Sequence, residues 1–191
     1  MSLNNQTYYN YIDKKTIPIV FIHGVGLDHK MWSPQINYFK NFSTITYDLL
    51  GHGKTPFKKE EIKINDYVEQ LLAIIEFLKL EKINLVGFSI GSLIALNFAS
   101  DFQNKLNSLT LIATTYKRTS EQRQAVIDRV NLAKLNKPIS QLAMKRWFTD
   151  EYLKKNPIIY DKFTKILTKN DEDQKNFIKA YELFAHYKDD L

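Results

Sequence analysis

A serine flanked by glycines, Gly87-Phe88-Ser89-Ile90-Gly91, can act as a nucleophile if the chain turns sharply enough to present its hydroxyl. The flanks are suited to such a turn. Lys82-Ile83-Asn84-Leu85-Val86 reads as a strand, and Ser92-Leu93-Ile94-Ala95-Leu96-Asn97-Phe98-Ala99 as a helix. Both glycine positions are explained sterically, because a Cβ at either would strike the neighbouring strand or helix. The turn aims the Ser89 hydroxyl away from the strand and starts the helix beneath it. The positive end of the helix dipole then lies near any oxyanion that develops there. The alternative reading is a glycine-rich turn that happens to hold a serine.

Two other loops carry polar residues at strand ends. Residues 17–22 are a continuous apolar run, the pattern of a strand buried on both faces, and end in His23-Gly24-Val25-Gly26. An oxyanion on Ser89 would find one backbone donor at Ile90, the residue after the nucleophile, and a second at Val25 in this turn. His23 is expected to order the turn by hydrogen bonding and not to serve as a general base. Residues 43–48 form a β-branched strand that closes in Asp48, followed by Leu49-Leu50-Gly51-His52-Gly53-Lys54-Thr55. Asp48 and His52 have the chemistry of an acid and a base. Short polar side chains at a strand end usually pin their own loop, and that is the role expected of them.

In that order and spacing, His-Gly-x-Gly, Asp-x-x-Gly-His-Gly and Gly-x-Ser-x-Gly resemble the α/β-hydrolase superfamily. Ser92 is a departure, standing where many relatives carry another glycine, and implies a small difference in helix packing. Downstream, Lys145-Arg146-Trp147-Phe148-Thr149-Asp150-Glu151-Tyr152, Asn156-Pro157 and Tyr181-Glu182-Leu183-Phe184-Ala185 resemble the cap of 3-oxoadipate enol-lactonases and related carboxylesterases. The match is most specific at Arg146-Trp147-Phe148. Together the resemblances run from about Ile17 to the end of the chain.

The resemblance implies acyl transfer. Ser89 would attack the carbonyl of a small-molecule ester or lactone, with Val25 and Ile90 N–H groups on the oxyanion, and water would release the acyl group. It implies no metal and no organic cofactor. Arg146, beside Trp147, would grip a substrate carboxylate bidentately; the other reading is a surface arginine covering a packing tryptophan. Two alternatives stand beside ester or lactone hydrolysis: serine-dependent hydrolysis of another bond, such as C–C, and a non-catalytic binding fold or inert fragment.

In that family the acid and the histidine follow the serine, on loops after later strands. Strand-like segments here stop with residues 106–113, and helical patterns fill the rest to Leu191. Relatives re-enter the sheet where this chain reaches Asp189-Asp190-Leu191. The sequence is therefore expected to stop short of its catalytic Asp and His, to lack activity by itself, and to leave its last strand as an open sheet edge. His186, on a helical stretch, is expected to be a surface or cap residue.

The elements that must position these residues are readable. Tyr8-Tyr9-Asn10-Tyr11-Ile12 is a short leading strand and Asp13-Lys14-Lys15-Thr16 a turn. Asp66-Tyr67-Val68-Glu69 reads as a capping box, with Val68, Leu71, Leu72, Ile75 and Leu78 on one helical face. Alternating strands and helices predict an α/β fold with a doubly wound, mainly parallel sheet and right-handed crossovers. The expected division is 1–115 as the N-terminal part of the core and 116–191 as a helical cap, broken at Lys137-Pro138 and Asn156-Pro157, with the C-terminal core strands absent.

With 44% hydrophobic and 13% aromatic residues, a chain of 191 residues can bury one sizeable core. The absence of cysteine excludes a disulfide framework and thiol chemistry and suits a cytoplasmic protein. Residues 1–6 have no signal-peptide pattern, and no apolar stretch reaches membrane-spanning length. The net charge is +6, yet Arg118, Arg123, Arg129 and Arg146 are the only arginines among 27 basic residues. The lysines are scattered, without an aromatic–basic stripe, so nucleic acid is not an expected partner. The sequence leaves the oligomeric state open.

Overall fold

The apolar run after Pro18 forms strand β2 (Ile19–Ile22), the middle strand of a five-stranded sheet. In this computed structural model, residues 7–135, 137, 139–172 and 174–188 are described. The readings placed on residues 1–6, on Pro138 and on Asp189-Asp190-Leu191 lie outside them. The other strands are β1 (Tyr9–Ile12), β3 (Thr44–Tyr47), β4 (Ile83–Phe88) and β5 (Leu106–Ile112), in the order β1-β3-β2-β4-β5. β1 runs antiparallel to β3, and all other pairs are parallel, in register from Ile22↔Gly87 to Gly87↔Leu111. The expected mainly parallel α/β sheet is the sheet observed.

Three helices make the crossovers. A 3-10 turn (His29–Trp32) and α1 (Ser33–Tyr38) join β2 to β3, α2 (Ile64–Phe77) joins β3 to β4, and α3 (Ile90–Phe102) joins β4 to β5. They cover both faces. Phe21 packs on Trp32 at 5.0 Å between ring centroids, whereas Gly87 of β4 lies against the first turn of α3. Phe21 pairs with Val86, the residue before Gly87, so these contacts are on opposite sides of the sheet. Val20, Phe21 and Ile22 are buried, as a strand covered on both faces requires. The run is shorter than expected, since Ile17 is 44% exposed and outside the strand.

Further out the covering thins. Residues of β4 alternate buried and half-buried, so this strand is enclosed on one face only. β5 is the sheet edge, half-exposed to exposed throughout, with Ile112 39% accessible.

Two local readings are corrected. The capping box does not start at Asp66. The helix begins three residues earlier, Lys63 is the N-cap, and the Asp66 carboxylate accepts the Lys63 N–H at 2.8 Å from position N3. An aspartate can serve either end of such a box, and the sequence does not say which. Of the expected face of α2, Val68, Leu71 and Ile75 are buried, but Leu72 is half-buried and Leu78 is the half-buried C-cap, and the buried face extends instead to Tyr67, Gln70 and Ile74.

The chain divides into two compact units, with described residues 7–116 in the first and 117–188 in the second. The second is helical: α4 (Ser120–Lys134), α5 (Ser140–Trp147), α6 (Asp150–Lys155), α7 (Pro157–Glu172) and α8 (Gln174–His186). Thr119 and Gln122 cap α4 reciprocally. Pro157 opens α7, where its missing N–H costs nothing. Three arginines, one just before α4 and two on it, bond to α8 and the residue that follows it. Arg118 donates to the Phe184 and Tyr187 carbonyls at 3.0 and 2.9 Å, Arg123 to Tyr187 at 2.7 Å, and Arg129 Nε to the Tyr181 hydroxyl at 2.7 Å. Guanidinium groups at a helix C-terminus satisfy carbonyls that lack intrahelical donors and complement the dipole. Among the described residues no helix is long and apolar enough to cross a membrane.

Candidate active site

Ser89 sits where β4 ends and α3 begins, with φ 56° and ψ −119°. This is a left-handed φ that a side-chain-bearing residue adopts only when its surroundings enforce it. Its N–H donates to the Ile112 carbonyl of β5 at 2.9 Å, and its carbonyl accepts the Ser92 N–H at 2.9 Å and the Ser92 hydroxyl. The turn is thus tied to the sheet on one side and to the helix on the other.

The two flanking glycines are required by space. A Cβ on Gly87 would lie 2.3 Å from the Gly91 carbonyl oxygen, and one on Gly91 would lie 2.6 Å from the Ile22 carbonyl oxygen. Both obstacles are backbone, so neither moves aside cheaply. The second distance also shows that the start of α3 is pressed against the end of β2.

The turn after β2 reaches the serine. A Cβ on Gly24 would lie 3.3 Å from Ser89 Cβ and 2.9 Å from the Phe88 ring. Leu27 N–H donates to the Gly24 carbonyl at 3.2 Å, and Gly26 takes the positive φ (75°) that the turn needs. Val25, half-buried, therefore belongs to a loop in contact with Ser89. Ile90 is the first residue of α3, so its N–H has no intrahelical acceptor. Among the described residues, neither the Val25 nor the Ile90 N–H donates to a protein group.

The polar residues nearby are already engaged. His23 is fully buried. Its Nδ1 lies 2.8 Å from the Gly24 carbonyl and its Nε2 accepts the Leu49 N–H at 3.0 Å, so the proton is on Nδ1. Burial first, and then the adjacent His52, push its pKa down to about 3, and the ring is neutral at pH 7. Asp48 is also fully buried. One carboxylate oxygen accepts the His29 N–H at 2.8 Å and His29 Nδ1 at 2.7 Å, and the other accepts the Lys54 N–H at 2.8 Å. Burial works to raise its pKa. The bonds from the His29 side chain and from the His29 and Lys54 backbones outweigh it and hold the carboxyl below its ordinary value. His52 Nδ1 lies 3.1 Å from the Leu50 carbonyl, and burial lowers its pKa as well. His23, Asp48 and His52 bind loops, as their positions in the sequence suggested.

Two members of this network were not identified from the sequence. His29, the partner of Asp48, is 19 residues away along the chain. Gln70 on α2 accepts the Leu50 N–H at 3.1 Å and donates to the Asp48 carbonyl at 3.0 Å, anchoring the same loop. Its signal was available, since Gln70 is a polar residue next to the apolar stripe of an amphipathic helix.

Arg146 and Trp147 lie at the end of α5 in the second unit. Arg146 is exposed, and its guanidinium carbon is 5.9 Å from the Trp147 ring centroid. Trp147 is half-buried against Phe163, with ring centroids 6.3 Å apart. His186 is exposed at the end of α8. Among the described residues no group of three or more His, Asp or Glu is arranged to hold a metal ion.

Comparison with known proteins agrees with this geometry. Residues 17–133 match the family model described as alpha/beta hydrolase fold. The chain is 31% identical over 183 residues to (E)-2-((N-methylformamido)methylene)succinate hydrolase of Acinetobacter baylyi, covering 95% of this chain and 68% of that protein. It is 28% identical over 149 residues to 3-oxoadipate enol-lactonase 2 of the same organism, covering 76% of this chain and 55% of the relative. Among solved structures, the enol-lactonase of Burkholderia xenovorans superposes with a TM-score of 0.86 at 21% identity, over 96% of this chain and 71% of that one. This chain thus spans between about half and about two thirds of the two curated relatives.

Proposed function

This chain belongs to the alpha/beta hydrolase fold family, and we propose that it carries the nucleophile and oxyanion donors of a serine hydrolase of carboxylic esters or lactones. The observation that carries the reading is Ser89 held at φ 56° between two glycines that cannot bear a side chain, in contact with the turn that holds Val25. In the reaction, Ser89 Oγ attacks the substrate carbonyl carbon, the carbonyl π-electrons move to oxygen, and the Val25 and Ile90 N–H groups stabilise the resulting anion. A base takes the serine proton and returns it to the leaving alcohol; water then repeats the sequence and frees the acid.

We assign the role of base to none of the described histidines: His23, His29 and His52 serve loops, and His186 is an exposed residue at the end of α8. The reading assigns the base and its acid to residues outside 1–191, and expects these residues alone to show no ester turnover above the Ser89→Ala background. Loss of both partners costs a serine hydrolase on the order of 10⁴- to 10⁶-fold.

Residues 116–191 are read as the cap, with Arg146 and Trp147 as its substrate-binding residues. Two relatives named for a substituted succinate and for 3-oxoadipate support a carboxylate-bearing substrate, which Arg146 is chemically fit to bind. A second reading, serine-dependent hydrolysis of a bond other than an ester, is favoured by the N-methylformamido group in the name of the 31%-identical relative.

The test is a fluorophosphonate probe at alkaline pH followed by peptide mapping. Ser89 is expected to be the modified residue, with no adduct in Ser89→Ala; equal labelling of both proteins would refute the nucleophile. Ser89-dependent turnover of p-nitrophenyl acetate by residues 1–191 at ordinary enzyme rates would refute the assignment of the base.

A further inference from the structure

A backbone N–H is only as well aimed as the peptide plane that carries it, and that plane is fixed by what its carbonyl oxygen accepts. The two donors assigned above belong to the peptide units Gly24–Val25 and Ser89–Ile90. In both units the carbonyl oxygen accepts two hydrogen bonds, one from a backbone N–H and one from a side chain. The Gly24 oxygen accepts Leu27 N–H at 3.2 Å and His23 Nδ1–H at 2.8 Å. The Ser89 oxygen accepts Ser92 N–H at 2.9 Å and the Ser92 hydroxyl. Two loops of unrelated sequence reach the same arrangement around the same reacting serine.

Ser92 is fully buried in the first turn of α3. A serine bonding back to a carbonyl three residues earlier is ordinary within a helix. Here the carbonyl belongs to Ser89, which has a non-helical φ of 56°, and the N–H of the same peptide unit is the unpaired first N–H of α3. The hydroxyl therefore binds the helix to the strained turn at a peptide whose N–H, among the described residues, donates to no protein group. Hydrogen bonds accepted by an amide oxygen also polarise its N–H and make it a stronger donor.

We propose that Ser92 is a positioning residue for the oxyanion site: its hydroxyl, bonded to the Ser89 carbonyl, aims and strengthens the Ile90 N–H, as His23 does for Val25. The proposal rests on the oxyanion reading given above. Removing a whole oxyanion donor costs roughly 100- to 1,000-fold. Cooperative strengthening of about 10–30% per bond, applied to the logarithm of that factor, gives an effect of about two- to eight-fold.

The experiment uses residues 1–191 and phenylboronic acid. The trigonal boron takes the Ser89 oxygen, the serine proton leaves to buffer, and the adduct is a tetrahedral boronate anion placed where the oxyanion would be. Affinity is measured by titration in the wild-type chain, Ser89→Ala and Ser92→Ala, and the Ile90 amide proton is followed by NMR in the free proteins. Ser92→Gly, which also lacks the hydroxyl, takes the place of Ser92→Ala if that variant does not fold. The expected result is two- to eight-fold weaker boronate binding without the hydroxyl, with the Ile90 amide proton moved upfield and the amides from Leu93 to Phe102 unmoved. Unchanged affinity would overturn the proposal. So would a loss accompanied by amide shifts along all of α3, the mark of a merely structural role. Equal binding by wild type and Ser89→Ala would instead refute the oxyanion reading itself, and the proposal with it.

Discussion

Acidification should destabilise the first unit through His23, and the size of the effect follows from the structure. The lone pair that a second proton would occupy is the one that accepts the Leu49 N–H at 3.0 Å, so protonation breaks a buried bond as well as burying a charge. Burial and the neighbouring His52 hold the folded pKa at about 3, against about 6.5 in an unfolded chain. Between these values the unfolded state binds the extra proton and the folded state does not. Stability therefore rises with pH across this window, is fully present above pH 6.5 and declines below it. At pH 5 the folded imidazole is still neutral, and the proton stabilises the unfolded chain by about 2 kcal/mol.

The chain has two tryptophans, and Trp32, 3% exposed, reports the first unit. Urea unfolding followed by Trp32 fluorescence in a Trp147→Phe background isolates that unit. Between pH 8 and pH 5 the wild-type His23 chain should lose about 2 kcal/mol more than His23→Asn, which cannot titrate. The comparison cancels His52, which acts in the same direction in both. The His23 Cε1–H resonance should remain at its neutral position down to pH 5. A titration of that resonance near pH 6.5, or equal pH dependence in the two chains, would refute the reasoning.

Two other outcomes are expected. Gly87→Ala drives a Cβ to within 2.3 Å of the Gly91 oxygen and 2.7 Å of Ser92 Cα; it should cost about 3 kcal/mol in urea unfolding, at the upper end of overpacking, and a loss under about 1 kcal/mol would show that the elbow has slack. Arg146→Lys should weaken binding of monomethyl adipate roughly ten-fold, the share of a charge-assisted bidentate grip that an ammonium does not replace, with dimethyl adipate unaffected in the same NMR titration. Equal changes for both esters would make Arg146 a surface residue covering Trp147.

What was legible in the sequence was what the backbone itself demands. All six glycines of the chain lie in three short segments, residues 24–26, 51–53 and 87–91. Each segment needs a positive φ or an approach that a Cβ would block, and such needs are local enough to show as spacing. The sheet was legible for a similar reason, because a central parallel strand is a continuous apolar run. The His29–Asp48 pair and the Gln70 bridge depend on which loops the fold brings together. Nothing within a few residues of either partner records that. The capping box shows the limit on a smaller scale: the residue type marks Asp66 as a capping residue but does not say which end of the motif it serves.

The polar side chains of the loops after β2 and β3 are mostly occupied by hydrogen bonds to one another and to the backbone. His23 has both ring nitrogens bonded, Asp48 has both oxygens bonded, and His29 Nδ1 is held by Asp48. His52 Nε2 is the exception, buried with no hydrogen-bond partner among the described residues. Its Nδ1 bonds a carbonyl and so carries the proton; Nε2 is then an unprotonated acceptor in a ring whose pKa burial lowers. A general base must take on a proton, and burial disfavours the charged form of this ring. By contrast, among the described residues the Val25 and Ile90 N–H groups and the hydroxyl of half-buried Ser89 have no hydrogen-bond partner. On the proposed reading these two donors would meet an anion formed on Ser89, and the bonds of His23 to the Gly24 carbonyl and the Leu49 N–H hold the Val25 loop in place.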